Sequence, residues 1–463
     1  MVESSRTLRG GETMECAGYC QEEGRFGPAE FFKLYFRELD ARGIPFVILH
    51  SYESFPQRIA TDVDYAVRTS DLRKLAGLAK DLAESHGWRL AHVIEPQVYA
   101  LYMVVVDSEN PRSFLQLDAC GHYVEGGCFL FSDHELLKDR VRFGDFFVPA
   151  PAMEFGYLLA KTLAKGKQIQ SSLPRFRQLE QANPAGCEAQ FRQLLGETEG
   201  GVCEWLKRPS IEGRRLHKPP LRRRRIGLGD KLCEVVRAVK RTVRPKGLHL
   251  ALLGFDDILA CAVLDRVGPV IQGPLFRHWQ IYRFSRGPAE IDDLEGSSLG
   301  IRASKKPSLL AASANALCLA GSYVALYLAK VVSAKVRNVL VIFAPSPDDL
   351  FLAPARYGLE KAAWLGRLLS RMLPRADLTI ILGALPREAR ESDTARKELQ
   401  RRWLAAQKLA ERGSDCIVIS DQQPLGELTH VVCREVIEFL ARREGSVLLS
   451  SSQRTRADTR PQS

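Results

Sequence analysis

The 463-residue sequence has no Cys-x-x-Cys pair, and its 11 cysteines are scattered. That excludes a disulfide scaffold and points to a reducing compartment. Cys120, His122 and Cys128 lie near one another, but their spacing fits no standard zinc module, so half-buried thiols are the expectation there. The opening stretch, MVESSRTLRGGETMEC, lacks the apolar core of a secretory signal, and a cytoplasmic protein is expected. No internal repeat stands out. Hydrophobic residues make up 45% and charged residues 26%, which excludes a wholly disordered or collagen-like chain. A uniformly basic surface is missing too. The net charge is +11, yet residues 207–246 alone hold 15 Lys/Arg against 3 Asp/Glu, so the rest is close to neutral.

What is present is the length for two or three domains. Residues 1–27 and 446–463 are polar and read as disordered tails. Two α/β regions lie between them, at 28–170 and 246–445, separated by a helical and basic connector at 171–245. In the first region, 45–50 (PFVILH), 62–67 (DVDYAV), 98–106 and 114–119 (FLQLDA) read as strands, with a helix over 72–83 and another after Pro151. In the second, strands at 248–253, 338–343, 378–382 and 416–419 alternate with helices, the pattern of a doubly wound parallel sheet. Residues 309–329 carry no charge and are long enough to cross a bilayer. They are rich in Ala and Ser and contain Asn315 and Gly321, so a buried helix is the favoured reading and a membrane segment the alternative.

Asp62 and Asp64 stand at i and i+2 on one strand, so both carboxylates face one side. Their repulsion favours a cation between them, and Asp118 on a neighbouring strand has the facing to complete a site for two Mg²⁺ ions. Solvated surface carboxylates give the same pattern, so spacing alone leaves the site open. The surrounding sequence resembles the nucleotidyltransferase (polymerase-beta-like) superfamily. Its members carry an apolar strand ending in Gly-Gly or Gly-Ser, then about ten residues, then Asp-x-Asp. Here Val47-Ile48-Leu49-His50-Ser51 is followed, ten residues later, by Asp62-Val63-Asp64-Tyr65, with Thr61 before the pair. The resemblance implies a mixed sheet with helices, metal held by Asp62, Asp64 and Asp118, and Ser51 against the triphosphate of a nucleoside triphosphate. It also implies that Asp118 orients or deprotonates an acceptor hydroxyl. His50 stands where the family has glycine. Lys161, with Lys165 and Lys167 nearby, stands where the family often has a phosphate-contacting lysine.

The second region resembles thymidylate kinase. Its entry reads Lys246-Gly247-Leu248-His249-Leu250-Ala251-Leu252-Leu253-Gly254-Phe255-Asp256, Pro354-Ala355-Arg356-Tyr357-Gly358 matches Pro-x-Arg-Tyr-Gly, and 374–382 matches a Pro-x-Pro-Asp-Leu strand. The phosphate loop is degenerate. Gly254 survives, but Leu259 replaces the second glycine, Ala260 the lysine and Cys261 the Ser/Thr. Without that lysine the loop cannot offset phosphate charge, so a pseudokinase-like domain is expected, in which Arg356 can contact an anion. Proteins pairing these two kinds of domain are associated with surface-polysaccharide biosynthesis. The expected function is therefore Mg²⁺-dependent transfer of a nucleoside monophosphate to an unknown acceptor. The alternatives are a non-catalytic scaffold of two degenerate domains, or a nucleotide kinase with an atypical phosphate site. The run Leu221-Arg222-Arg223-Arg224-Arg225 makes 207–246 a candidate for an anionic membrane surface, at ~1 kcal/mol per basic residue. A peripheral membrane location goes with that reading, and a plain solvated linker is its alternative. Near-absence of aromatics there argues against nucleic acid.

Overall fold

The computed structural model describes residues 26–59, 62–125, 127–165, 169–195, 201–207, 227–282, 308–357, 359–383, 393–411 and 415–458. Contacts divide the chain into two units. The first takes Glu15–Val239 and Ala441–Ser463, and the second holds Lys240–Leu440.

The first unit opens with α1 (Pro28–Ala41), a helix with proline at its first turn and Glu30 accepting from the Gly27 N–H at 3.1 Å. Then come β1 (Phe46–Ile48), β2 (Val63–Val67), α2 (Leu72–Ser85), β3 (Trp88–Ile94), β4 (Ala100–Asp107) and β5 (Asn110–Cys120). The sheet order is β1-β2-β5-β4-β3. β2 and β5 run parallel, and the other neighbours run antiparallel. Strand alternation gives the sheet two unlike faces. Val63, Tyr65, Val67, Met103, Val105, Leu115 and Leu117 point into a core closed by Phe31, Phe32, Tyr35 and Phe36 of α1 and Leu75, Leu78 and Ala79 of α2. The other face carries Asp64, Ala66, Gln116, Asp118 and Cys120.

Two short hairpins follow, β6 (Tyr123–Glu125) with β7 (Cys128–Phe131), and β8 (Val141–Phe143) with β9 (Phe146–Val148), with α3 (Asp133–Leu137) between them. α4 (Pro151–Lys165) then packs beside the second face. Next are α5 (Leu173–Ala182), α6 (Pro184–Leu195), α7 (Val202–Lys207) and α8 (Leu228–Val243). The connector expected at 171–245 is therefore divided. Phe176, Leu179, Cys187, Phe191, Leu194 and Trp205 form one buried cluster with Phe155 and Leu159 of α4. They cover apolar surface that α4 would otherwise expose, and α5–α7 belong to the first unit. LRRRR lies outside the described residues.

The second unit is a five-stranded parallel sheet of order β11-β12-β10-β13-β14. Its elements are β10 (Leu248–Gly254), α9 (Asp257–Leu275), β11 (Trp279–Tyr282), α10 (Leu309–Leu326), a π turn (Tyr327–Val331), α11 (Val332–Val336) and β12 (Leu340–Phe343). Then follow α12 (Asp349–Leu352), α13 (Ala363–Met372), β13 (Leu378–Leu382), α14 (Asp393–Ala410), β14 (Cys416–Ile419) and α15 (Leu425–Asp458). The four strands read from sequence are present, and β11 is an addition. The central strands β10, β12 and β13 are apolar along almost their whole length because helices cover both faces.

α10 contributes a narrow stripe of small residues, Ala312, Ala316 and Ala320, with Tyr323 to the core, while Leu310, Leu317 and Leu328 stay outside. The charge-free run is thus a half-covered helix, less buried than a core helix would be. It and 258–275 are long and apolar enough to cross a membrane by length and composition.

Residues 446–458, expected as a disordered tail, continue α15. No proline or glycine interrupts them, and Leu448 packs against the first unit's core. Residues 1–25 and 459–463 lie outside the described residues, while Phe26 stacks on His86 at 4.7 Å.

Candidate metal centre

The parallel pairing of β2 with β5 sets Asp64 directly beside Asp118, with Val63 beside Leu117 on the core face. Asp62 stands just before β2, on the same side as Asp64 by alternation. The three aspartates form the one group among the described residues whose metal-ligating atoms converge, each offering a carboxylate oxygen within 4.8 Å of the others. All three are half-buried. Hard oxygen donors at such spacing fit Mg²⁺ or Mn²⁺ and suit softer metals less well.

β1 brings the loop beside them. Its end is fixed by the Leu49 N–H donating to the Asp64 carbonyl at 2.9 Å. The chain then turns at Ser51, whose φ of 58° lies in the left-handed region that glycine adopts freely. His50 Nε2 is 2.8 Å from Asp64 Oδ2, and His50 Nδ1 is 2.7 Å from the exposed Ser51 hydroxyl. From α4, Lys161 Nζ donates to Asp64 Oδ2 at 3.0 Å and lies 2.6 Å from His50 Nε2. Burial acts to raise the Asp64 carboxyl, but the hydrogen bond and charge of His50 and then Lys161 outweigh it, and its pKa falls to about 2. Asp64 is thus ionised across the physiological range. The Lys165 side chain and all of Lys167 and Thr61 lie outside the described residues.

Four neighbours were not singled out by motif. Tyr102 stands opposite Asp118 in the β4–β5 register, and Gln116 lies two residues before Asp118 on the same face. Burial, followed by the charges of Asp62 and Asp118, raises the Tyr102 phenol. Cys120 continues the same face, and burial with Asp118 and Asp64 pushes its thiol up, so it is a protonated thiol beside the acids. The ring of Tyr157 stacks on His50 at 5.9 Å. Strand alternation from Asp118 would have found Gln116 and Cys120; Tyr102 needed the hairpin register, and Tyr157 the placement of α4.

Behind the loop, Glu154 is buried and holds the turn to α4. Tyr52 Oη donates to its Oε2 at 2.6 Å, and Arg175 pairs with its Oε1 at 2.7 Å. The Cys120–His122–Cys128 trio does not converge as ligands. His122 Nδ1 accepts from the Asp133 N–H at 3.0 Å, and its Nε2 lies 3.3 Å from Thr69 Oγ1.

In the second unit, the segment 254–261 leaves the end of the central strand β10. Asp256 Oδ1 accepts from the N–H groups of Ile258 (2.8 Å) and Leu259 (3.3 Å), capping α9 with the chain's own carboxylate. A Cβ added at Gly383, past the end of β13, would meet the Phe255 ring at 2.7 Å, so that ring lies tight against the neighbouring strand end. Ala260 is buried and Cys261 half-buried. Arg356 donates to Asp349 Oδ2 at 2.8 Å, and Tyr357 Oη donates to the same oxygen at 3.1 Å.

Compared with protein-family models and with curated proteins, the chain matches none.

Proposed function

We propose that the first unit is a divalent-metal-dependent nucleotidyltransferase of the polymerase-beta-like kind, and that the second is a thymidylate-kinase-like domain without phosphoryl transfer. One observation carries the first half: the oxygens of Asp62, Asp64 and Asp118 converge within 4.8 Å on one sheet face, behind a tight turn at Ser51. Asp62, Asp64 and Asp118 would hold Mg²⁺, which supplies charge neutralisation on the phosphates and a lowered hydroxyl pKa. Asp118 would accept the acceptor's proton. Ser51 offers its exposed hydroxyl to the triphosphate. Lys161, now on Asp64 Oδ2, would supply positive charge toward the phosphates.

The second half rests on Asp256 and Phe255. A helix N-terminus and the crevice at the strand ends are where a doubly wound sheet takes phosphate. Here the helix N–H groups already have a carboxylate, and an aromatic ring packs at the strand ends.

A second reading has an observation of its own. Lys161 and His50 both lie on Asp64 Oδ2, so the acid is already compensated without metal, as in a binding scaffold. Calorimetry with Mn²⁺, with and without a nucleoside triphosphate, separates the two. The enzyme reading expects metal binding that tightens with nucleotide, is lost in Asp62→Ala and Asp64→Ala, and accompanies release of pyrophosphate. No heat from Mn²⁺ in the intact chain, or equal heat in the alanine variants, decides for the scaffold.

A further inference from the structure

From 309 to 329, α10 and the start of the π turn after it hold no charged residue, and the helix is apolar nearly all the way round. Such a helix belongs inside a protein or in lipid. Only one side of this one finds protein. Ala312, Ala316, Ala320 and Tyr323 pack into a core with Val341 and Phe343 of β12. The neighbouring α13 packs into the same cluster through Leu365, Leu369 and Leu373, and the Tyr323 hydroxyl donates to the Pro374 carbonyl at 2.9 Å. The two helices thus form one layer on one face of the second sheet. On the outside of that layer, Leu310, Leu317 and Leu328 from the first segment and Trp364, Leu368 and Met372 from α13 are each 44–83% exposed. The last three recur at i, i+4 and i+8, one stripe of a helix. Single exposed apolar residues are ordinary, but six on adjacent helices make a docking surface.

The charge beside the surface selects the partner. Acidic residues are missing from 308–336 and from 361–376. Lys361, Arg367, Arg371 and Arg375 are exposed, and among the described residues none pairs with their charged ends. A second copy of the chain fits less well, because it brings the same arginines and no acid to answer them. A bilayer with anionic headgroups answers both parts, with hydrocarbon for the leucines and phosphate for the arginines, and an exposed tryptophan is favoured at the boundary between them. The covered side of α10 sets the orientation. A spanning α10 would have to leave the sheet that Ala312, Ala316 and Ala320 cover, whereas a helix lying in the plane of the interface keeps that contact.

We infer that the α10–α13 layer is an in-plane membrane-docking face, with Leu310, Leu317, Leu328, Trp364, Leu368 and Met372 entering the acyl boundary of a bilayer whose anionic phospholipid headgroups meet Arg367, Arg371 and Arg375. The inference is independent of the metal reading, since no residue in it belongs to the aspartate site. It is tested on the full chain by co-sedimentation with phosphatidylcholine vesicles prepared with and without phosphatidylserine. The expected result is binding to the phosphatidylserine vesicles, weakened about tenfold or more by Leu317→Ser with Trp364→Ser. Arg367→Gln with Arg371→Gln weakens binding and reduces its sensitivity to salt. All four side chains face solvent, so the fold, checked by circular dichroism, stays intact. Lipid chains brominated near their carboxyl end should quench a tryptophan signal that Trp364→Phe removes. No binding to the anionic vesicles overturns the inference. So do binding indifferent to phosphatidylserine, binding that the serine pair leaves unchanged, and quenching that Trp364→Phe leaves unchanged. Self-association without vesicles that the serine pair abolishes, seen by analytical ultracentrifugation, assigns the face to a second copy and equally overturns it.

Discussion

Each unit places acidic residues near the ends of its strands, and the two treat them in opposite ways. In the first, Asp62, Asp64 and Asp118 are gathered with their oxygens within 4.8 Å, and His50 and Lys161 both fall on Asp64. In the second, three acids each have a local partner. Asp256 caps α9, Asp349 holds Arg356 and Tyr357, and Asp377 holds the buried Lys335 at 2.6 Å and the His249 backbone N–H at 2.8 Å. Concentrated like charge costs stability unless a counter-ion relieves it, whereas paired charge is a finished structural device. The difference teaches where to look for chemistry: at the cluster where three carboxylates are held close together on one sheet face.

That contrast is broken most directly at the cluster. On the proposed function, with metal-dependent transfer measured by pyrophosphate release, Asp118→Asn is expected to lower the rate by about 10³-fold or more, because it would remove both a metal ligand and the proton acceptor. Its effect on stability should be small or favourable, since one of three mutually repelling charges is gone. A strong loss of stability with unchanged Mn²⁺ binding would show that Asp118 is a packing residue. Glu154 is the opposite kind of acid, buried and fully paired with Tyr52 and Arg175. Glu154→Ala leaves Arg175 without its carboxylate and is expected to destabilise the first unit by about 3 kcal/mol in urea unfolding. Hydrogen exchange should show the loss centred on the turn after β1 and on α4.

The units should also part in acid. His249 lies on the central strand β10, 1% exposed, and burial lowers its pKa to about 4. An unfolded histidine titrates near 6.5, so the unfolded chain takes up a proton first. Stability from the neutral ring is therefore complete above about pH 6.5 and is lost as pH falls toward 4, a total of roughly 3 kcal/mol. Asp64, whose pKa is about 2, gives up only a few tenths of a kcal/mol by pH 4, where the unfolded carboxyl begins to take up a proton, and most of its contribution is lost below that window. Hydrogen exchange between pH 7 and 4 should show the second unit opening first. His249→Leu should flatten that slope, and an unchanged slope would place the acid sensitivity on another group.

How much of this was legible in the sequence differs between the same two regions. Parallel strands covered on both faces are continuous apolar runs, and so 378–382 and 416–419 coincide with β13 and β14 to the residue. β11 escaped notice because WQIY mixes polar and aromatic residues and its four positions are only half-buried. In the first unit, the alternation of DVDYAV and FLQLDA already placed Asp62, Asp64 and Asp118 on facing sides. The sequence left unread what depends on packing between distant segments: Lys161 and His50 meeting on one oxygen, and Glu154 reaching Tyr52 across 102 positions. It also could not show which side of α10 is covered, because a helix apolar nearly all round has no periodicity to mark one.

The smallest effect tests the finished side of the comparison. Asp256 accepts two N–H groups at the start of α9, and removing an N-cap acid costs about 1 kcal/mol. Asp256→Ala should therefore lower the stability of the second unit by about that amount. If the aspartate were merely a plug in a working phosphate loop, its removal would also open ATP binding. Ala260, where a phosphate loop would carry its lysine, and the Phe255 ring against Gly383 argue that it will not. The freed helix N-terminus contributes only a partial charge, and neither a side-chain ammonium nor a glycine-lined cradle stands beside it. Calorimetry with MgATP on the Asp256→Ala chain should stay flat. Heat that appears with this one substitution would mean that the second unit is a kinase site held shut by a single carboxylate, and the contrast between the two units would collapse into one of regulation.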